Sequence, residues 1–395
     1  MDHPPLDAAV LEAIRSFCSR PSTSQRAKDG LLRFLNDDPP FSEITPILPM
    51  EEMEIRLETI EKVRKLAEEE SRGISLHLNM LQVATLLVMP MDSLRYVLQA
   101  ARTWPGSIDP YLAAGAFLSL LSKGKLPGGS RRASDNTSQP SSATGASSSK
   151  RMDRDRTERQ KCLDRDHRSC IFTKAAHPEA CHIIPFALTA SQDSLEILAS
   201  QRILSNALLD HDTAHWFKYF VGTTVGSSDK SWNMLSLTPT LHAWWGKALF
   251  GIKCLGIIPH DNQRSKVKLQ FHWMPSHSRK PGDIIAPPYQ DVIQGAAESR
   301  AIQERANIEI IADARRDSFR ELESGQTFEV VVDKEDAENM KMALDVQWAV
   351  MRIQAISGAA GDWEFEYYHP DESGAAGDIS TTDQVQEWLE TVSGQ

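Results

Sequence analysis

Residues 123–149 cannot belong to a packed core. Eight serines fall between Ser130 and Ser149, alongside Pro127, Gly128-Gly129 and the pair Arg131-Arg132. Such a stretch has too little apolar surface to offset the entropy lost on ordering, so it reads as a disordered Ser-rich linker. Any core must therefore form from the residues before it, from the residues after it, or from both. At 395 residues the chain is long enough for two or three domains.

Composition narrows the class. Hydrophobic residues at 41% and charged residues at 25% suit a soluble globular protein. The longest apolar stretches, Met80–Met91 and Tyr111–Leu121, are too short to span a bilayer and read as buried helices. Residues 1–17 carry acids and prolines instead of a basic-then-apolar leader. Neither secretion nor a membrane is expected, and the expected location is intracellular, in nucleus or cytoplasm. The five cysteines are scattered, odd in number and without a C-x-x-C pair, which argues against a disulfide framework or zinc ribbon. The chain also lacks a Gly-rich phosphate loop, a G-x-S-x-G elbow and an H-E-x-x-H helix, which removes the commonest nucleotide hydrolases, serine hydrolases and zinc proteases.

Apolar periodicity sets the organisation. Before the linker, Met53, Leu57, Ile60, Val63 and Ala67 recur at three- and four-residue steps, and similar spacing runs through Leu78–Val88, Ser93–Ala101 and Tyr111–Leu121. Residues 1–122 thus form a helical N-terminal region, readable as an adaptor or self-association module or as a structural appendage. Residues 150–275 form the next domain, residues 276–370 an α/β extension, and residues 371–395 an acidic tail with a short helix near Gln384–Leu389. The extension comprises a long helix over roughly Ala296–Glu323, a strand opened by Gly325 and running through Val332, and a helix over Glu335–Ile356. That last helix places Met340, Leu344, Trp348 and Met351 on one face. Val267, Leu269, Phe271 and Trp273 alternate as in a half-buried strand.

Charge follows the same divisions. Residues 150–275 carry 17 basic against 12 acidic side chains, whereas residues 276–395 carry 10 against 24. A basic middle between acidic flanks suits a polyanion partner, and it also suits ordinary surface scatter. Arg154, Arg156, Arg159 and Lys161 lie in the most basic run, readable as phosphate contacts, a nuclear import signal or a solvated helix.

Eight of the twelve histidines fall within residues 160–275, which makes this the first place to seek chemistry. Three segments stand out there. Cys181-His182-Ile183-Ile184-Pro185 reads as a short strand with the histidine at its start, stopped by proline. Asn233 stands before the alternating Leu235 and Leu237. Thr238-Pro239 fits an N-cap and first helical position, placing His242 in the opening turns of a helix. Ala187–Ser231 is then an insertion between the two limbs.

Taken in order, His182, Asn233 and His242 resemble the His-Asn-His signature of the HNH endonuclease superfamily. Cys170 with Cys181 through Phe186 looks most like the fungal HNH-nuclease-domain proteins. The resemblance covers about residues 160–275 and extends loosely to 324–358. It implies an α+β fold: a ββα-metal module with helical insertions, preceded by the helical N-terminal region. It also implies metal-dependent phosphodiester hydrolysis in nucleic acid, with DNA favoured over RNA. His182 corresponds to the general base, because imidazole takes up protons near neutral pH. Asn233 corresponds to the residue that orients the base, and His242 to a ligand of a divalent cation that neutralises charge on the phosphate. Magnesium or manganese suits such a site, with zinc an alternative.

The chain departs from the family pattern in two places. Where many relatives have a metal-binding aspartate before the first histidine, this chain has Cys181, a soft ligand suited to zinc more than magnesium. Trp245 and Gly246 stand where relatives carry a further polar ligand. His211 and His215, four apart on a helix face, offer a supplementary metal pair or else a solvated face capped by Asp212. These departures keep open a second class of function: a catalytically degenerate HNH scaffold that binds nucleic acid or protein. A third reading makes the metal purely structural.

Overall fold

The computed structural model describes residues 8–36, 39–70, 77–103, 152–200, 206–275, 277–297, 313–316 and 320–360. All of them fall within one unit, Met1–Glu364. The linker at 123–149, the apolar stretch Tyr111–Leu121 and the acidic tail lie outside the described residues.

In chain order the first elements are α1 (Ala8–Ser19), α2 (Gln25–Asn36), α3 (Met53–Glu70), β1 (Leu78–Asn79), α4 (Met80–Val88) and α5 (Met91–Thr103). The three- and four-residue spacing of α3 buries Met53, Ile60 and Val63. Leu78–Val88 is not helical throughout. Asn79 caps α4 by accepting from the Gln82 amide while the Gln82 side chain accepts from the Asn79 amide. The strand thus ends where the helix begins.

Next come α6 (Arg156–Arg165), β2 (Glu179–His182), α7 (Gln192–Ser200), α8 (His211–Trp216) with a π-helical turn at Phe217–Val221, β3 (Met234–Leu237) and α9 (Pro239–Gly246). The last are β4 (Phe250–Pro259), β5 (Arg264–Trp273), β6 (Ile284–Ile285), α10 (Gln290–Ala297), β7 (Thr327–Asp333) and α11 (Lys334–Ser357). The fold is α+β.

Three antiparallel ladders organise these elements. β2 pairs with β3, β1 pairs with β6, and β4, β5 and β7 form a sheet in that order. The expected alternation in β5 holds only through Val267 and Leu269: between β4 and β7 both faces are then covered, with Gln270, Phe271 and His272 buried and Trp273 half-buried. On the sheet lies α11, whose Met340, Leu344, Trp348 and Met351 are buried as the periodicity requires. Its other neighbours include α4 and α10. Helices from before residue 104 therefore share a core with elements from after residue 250. Burying each large apolar side chain there contributes about 1.5–3 kcal/mol.

Residues 39–48 run along the same sheet. The Thr327 amide donates to Pro40 O and the Ser42 amide to Gly325 O. Gln270, fully buried, donates from its side-chain amide to Ser42 O and Glu43 O and accepts from the Thr45 amide. Gly325 opens β7 with φ +97°, and an added Cβ would lie 2.9 Å from the Ile44 side chain, so the glycine there is required both for its backbone and for the close approach.

Two expected elements differ. The helix anticipated over Ala296–Glu323 does not reach its end: Ala314 and Glu321 form an antiparallel bridge, with the Leu322 amide donating to Asp313 O. Burial of Leu322 and a 2.7 Å bond from the Trp273 indole to Leu322 O hold this segment extended. In the basic run, helix α6 covers only Arg156–Arg165, because the Asp155 carboxylate caps it by accepting from the Thr157 amide. No helix among the described residues is long and apolar enough to cross a membrane.

Candidate active site

The β2–β3 hairpin with α9 gives a strand–strand–helix unit. Register pairs Glu179 with Leu237, Cys181 with Leu235 and His182 with Met234. The unit is tied to the large sheet through Phe172, whose ring packs edge-on against Phe271 at 5.2 Å and Phe328 at 4.8 Å. The Ile171 amide donates to Ser236 O, so the segment before β2 is stitched to β3 as well. Helix α6 lies against the same hairpin: buried Arg165 donates to Ser231 O and Met234 O, and Glu158 accepts from the Ser231 amide.

His182 is the last residue of β2 and not its first, which is where the β-branched pair after it would put it. The reason is Asn233. Its side chain is fully buried and satisfied three times over. Its amide nitrogen donates to Ile184 O at 2.8 Å and Ser228 O at 2.7 Å, and its oxygen accepts from the Ile184 amide at 2.9 Å. The Ile183 amide donates to Asn233 O. These bonds bend residues 183–184 out of the ladder and clamp them to the segment that ends at Asn233. Asn233 is thus a staple joining two loops, and its contacts are all to backbone.

The segment it captures carries a carboxylate that spacing did not reveal. His182 Nε2–H donates to Asp229 Oδ1 at 2.9 Å, with side-chain exposures of 10% and 2%. The other Asp229 oxygen accepts from the Asp155 amide. Burial opposes ionisation of Asp229, but the His182 and Asp155 hydrogen bonds and the nearby Arg154 charge outweigh it and hold the carboxyl below its ordinary range. An ionised carboxylate only accepts, so the shared hydrogen sits on Nε2 and Nδ1 keeps its lone pair. The His182 ring also stacks on Phe186, with centroids 5.9 Å apart.

His242 lies in the opening turns of α9, as expected. Thr238 caps the helix through the Leu241 amide and Pro239 follows it. Here too the partner is a carboxylate: His242 Nδ1 and Glu179 Oε2 are 2.6 Å apart, both about half exposed. With Nδ1–H on Glu179, Nε2 is the ring nitrogen left for a further partner. Such a carboxylate–imidazole pairing is the usual support of a metal-binding histidine.

Glu179 and His182 are three residues apart on β2, about 10 Å at the strand rise, and on alternate sides of the pleat. The hairpin therefore carries two separate histidine–carboxylate pairs. Among the described residues no group of three or more His, Cys, Asp or Glu side chains is placed to hold a metal ion.

Cys181 packs inside the hairpin. It is 1% exposed, its thiol donates to Glu179 O, and burial pushes its ionisation far above the ordinary range. His211 and His215 do share a helix face, with ring centroids 6.4 Å apart, but the cap of α8 is Asp210, which accepts from the Asp212 and Thr213 amides. His211 pairs with Asp212 at 3.1 Å in full solvent, and no third ligand joins the two imidazoles among the described residues. Of the basic run, Arg154, Arg156 and Arg159 are exposed at or near the start of α6, with the Arg154 charge acting on Asp229, while Lys161 is held by Glu158 at 2.8 Å.

The strand–strand–helix unit thus carries a buried histidine–aspartate pair clamped by an asparagine and a second histidine–carboxylate pair on the following helix. Residues 170–253 match the family model described as HNH endonuclease, which supports the resemblance over this segment. No curated protein and no solved structure matches the chain.

Proposed function

We propose that the chain is an endonuclease that hydrolyses phosphodiester bonds in DNA with the help of a divalent cation, and that His182 is its general base. The observation that carries this reading is the His182–Asp229 pair. Asp229 fixes the tautomer and favours the imidazolium that forms as His182 Nδ1 takes a proton from water. The oxygen of that water bonds to phosphorus as the bond from phosphorus to the leaving sugar oxygen breaks, and a proton returns to that oxygen. Asn233 acts at one remove, by holding the loops that carry His182 and Asp229. Arg154, Arg156 and Arg159 supply charge for neighbouring backbone phosphates.

The donors present do not make a zinc cage. One imidazole nitrogen is a borderline ligand that suits manganese or zinc at least as well as magnesium, with waters and phosphate oxygens to complete the shell. His242 would hold the cation through Nε2 with Glu179 orienting the ring, in the manner of a ββα-metal module. Once bound, the cation supplies neutralisation of charge on the phosphate and leaving oxygen.

The test is nicking of supercoiled plasmid by the purified chain with magnesium, manganese or zinc added separately. Metal-dependent nicking should vanish in His182→Ala, with the circular dichroism spectrum unchanged. It should fall steeply, on the order of 10⁴-fold, in Asp229→Asn, which leaves the base in the wrong tautomer. Equal nicking by wild type and His182→Ala would remove the base from its role. DNA binding without cleavage under any metal would support the catalytically degenerate binding scaffold instead.

A further inference from the structure

The insertion between β2 and β3 displays rings at the surface in an ordered pattern. His211, His215 and Tyr219 follow at four-residue steps. Their ring centroids are 6.4 Å apart in the first pair and 4.5 Å in the second. A second row runs beside it, where Trp216 and Phe220 stack at 5.9 Å with planes only 14° apart. Together with Asp212 these residues line a shallow concavity of about 420 Å³. Tyr219 is 54% exposed and Phe220 45%. Large rings this exposed forgo much of the stabilisation that burial would bring, a cost expected where a surface meets a ligand.

The backing is rigid. The Trp216 indole donates to Asn339 Oδ1 on α11 at 2.9 Å. Buried Trp232 meets both Trp216 and Phe220 edge-on at 5.8 Å. Trp232 immediately precedes Asn233, so the short turn Ser231–Asn233 carries both a ring that backs this surface and the asparagine that clamps the loop of Ile184. The backbone between Phe217 and Val221 is a π-helical turn, a form frequent at functional sites. Cations flank the rings although Asp212 lines the same concavity: the Lys218 ammonium lies 4.6 Å from the Tyr219 ring centroid, and the Arg154 charge acts on Asp229 near the end of the same insertion.

We infer that His211, His215, Trp216, Tyr219 and Phe220 form a stacking platform for unpaired bases, so that the preferred substrate is single-stranded or branched DNA rather than continuous duplex. This rests on the nuclease reading and narrows it. Aromatic faces in rows accept planar bases irrespective of sequence, whereas paired bases in a duplex have both faces covered. A cation at the platform edge meets the phosphate that follows each base.

The probes are a fluorescein-labelled oligodeoxythymidylate of roughly twenty nucleotides and its duplex with the complementary strand, a length that covers more than one stacking site. Affinities are read by fluorescence anisotropy on the full chain carrying His182→Ala, so that neither probe is cut. The single strand should bind more tightly than the duplex. Adding Tyr219→Ala and Phe220→Ala should weaken single-strand binding at least tenfold, from about 1–3 kcal/mol per stacked base, and leave duplex binding nearly unchanged. Tyr219→Phe with Phe220→Trp, which keeps both rings, should restore the affinity. Equal loss on both probes, or no loss on either, overturns the platform. If plasmid is nicked but the single strand is not preferred, this inference alone fails; if neither probe binds and plasmid is not nicked, the nuclease reading fails with it.

Discussion

Replacing Asn233 by alanine isolates the staple that holds the site. The substitution removes three hydrogen bonds at 2.7–2.9 Å and leaves Ile184 O, Ser228 O and the Ile184 amide without those partners in a buried setting. An orphaned buried polar group costs about 1–3 kcal/mol. Three of them, partly relieved by relaxation and entering water, give a loss of about 3–5 kcal/mol, a large share of the roughly 5–15 kcal/mol that a folded protein holds. In urea, with a slope near 3 kcal/mol per molar for a chain of this size, the midpoint should move down by about 1–1.7 M. Tryptophan fluorescence reports it directly, because Trp232 adjoins the altered residue. Hydrogen exchange should quicken at the Ile183 and Ile184 amides before it quickens in β5. Asn233→Asp should cost at least as much, since it turns a donor that faces two carbonyl oxygens into an acceptor. A loss below about 1 kcal/mol with unchanged slope would refute the reasoning and reduce the three bonds to bystanders.

Three further outcomes rest on the same packing. His272 is buried against Trp348 with Nε2–H on Gln270 Oε1, and burial, with some repulsion from Lys253, lowers its pKa from 6.5 to about 4. Between those values the unfolded chain binds the proton and the native one does not, so stability is complete above pH 6.5 and falls by up to about 3 kcal/mol as pH drops to about 4. His272→Gln should flatten that slope in urea titrations taken across the range, and an unchanged slope would assign the acid sensitivity elsewhere. Iodoacetamide at neutral pH should label Cys18 in the native protein and spare Cys162, Cys170, Cys181 and Cys254, which are buried; labelling of Cys181 before unfolding, read by peptide mass, would contradict its placement. Gly358 ends α11 at φ +77°, and an added Cβ would lie 2.0 Å from Arg279 O. Gly358→Ala should therefore cost more than the 1–2 kcal/mol of the left-handed backbone alone, and a neutral effect on the thermal midpoint would show that the helix end can move.

The parts of the site legible in the sequence are those written in local chemistry. Thr238-Pro239 announces a helix start through capping and a fixed φ, and it places His242 correctly. Asn233 before two alternating leucines marks the second limb of the hairpin. Asp229 and Glu179 are not legible, because a carboxylate becomes a histidine's partner only through tertiary approach, and neither sits at a spacing that one element would impose. The end of β2 is misplaced by local preference because the isoleucines after His182 favour a strand, and a side chain nearly fifty residues away overrides them. β4 is hidden for a related reason. Gly251 and Gly256 interrupt its apolar run, and a bulge between Cys254 and Gly256 breaks the two-residue period. Helix α11 is plain from its spacing alone, since a face repeated over 24 residues is hard to mistake.

The pairing of α4 with α11 also sets a timetable for biosynthesis. α4 ends at Val88, nearly all of its side chains are buried, and the helix that helps cover them begins at Lys334. At translation rates of about 5–20 residues per second, an apolar helix leaves the ribosome roughly 12–50 s before its cover exists. β4 and β5 can pair early as a hairpin, but they too wait for β7 and α11. The nascent chain therefore carries sticky, half-finished surfaces for most of its synthesis. A release that comes early, by a stop anywhere before residue 334, should yield a product that chaperones hold or proteases clear instead of a smaller folded protein.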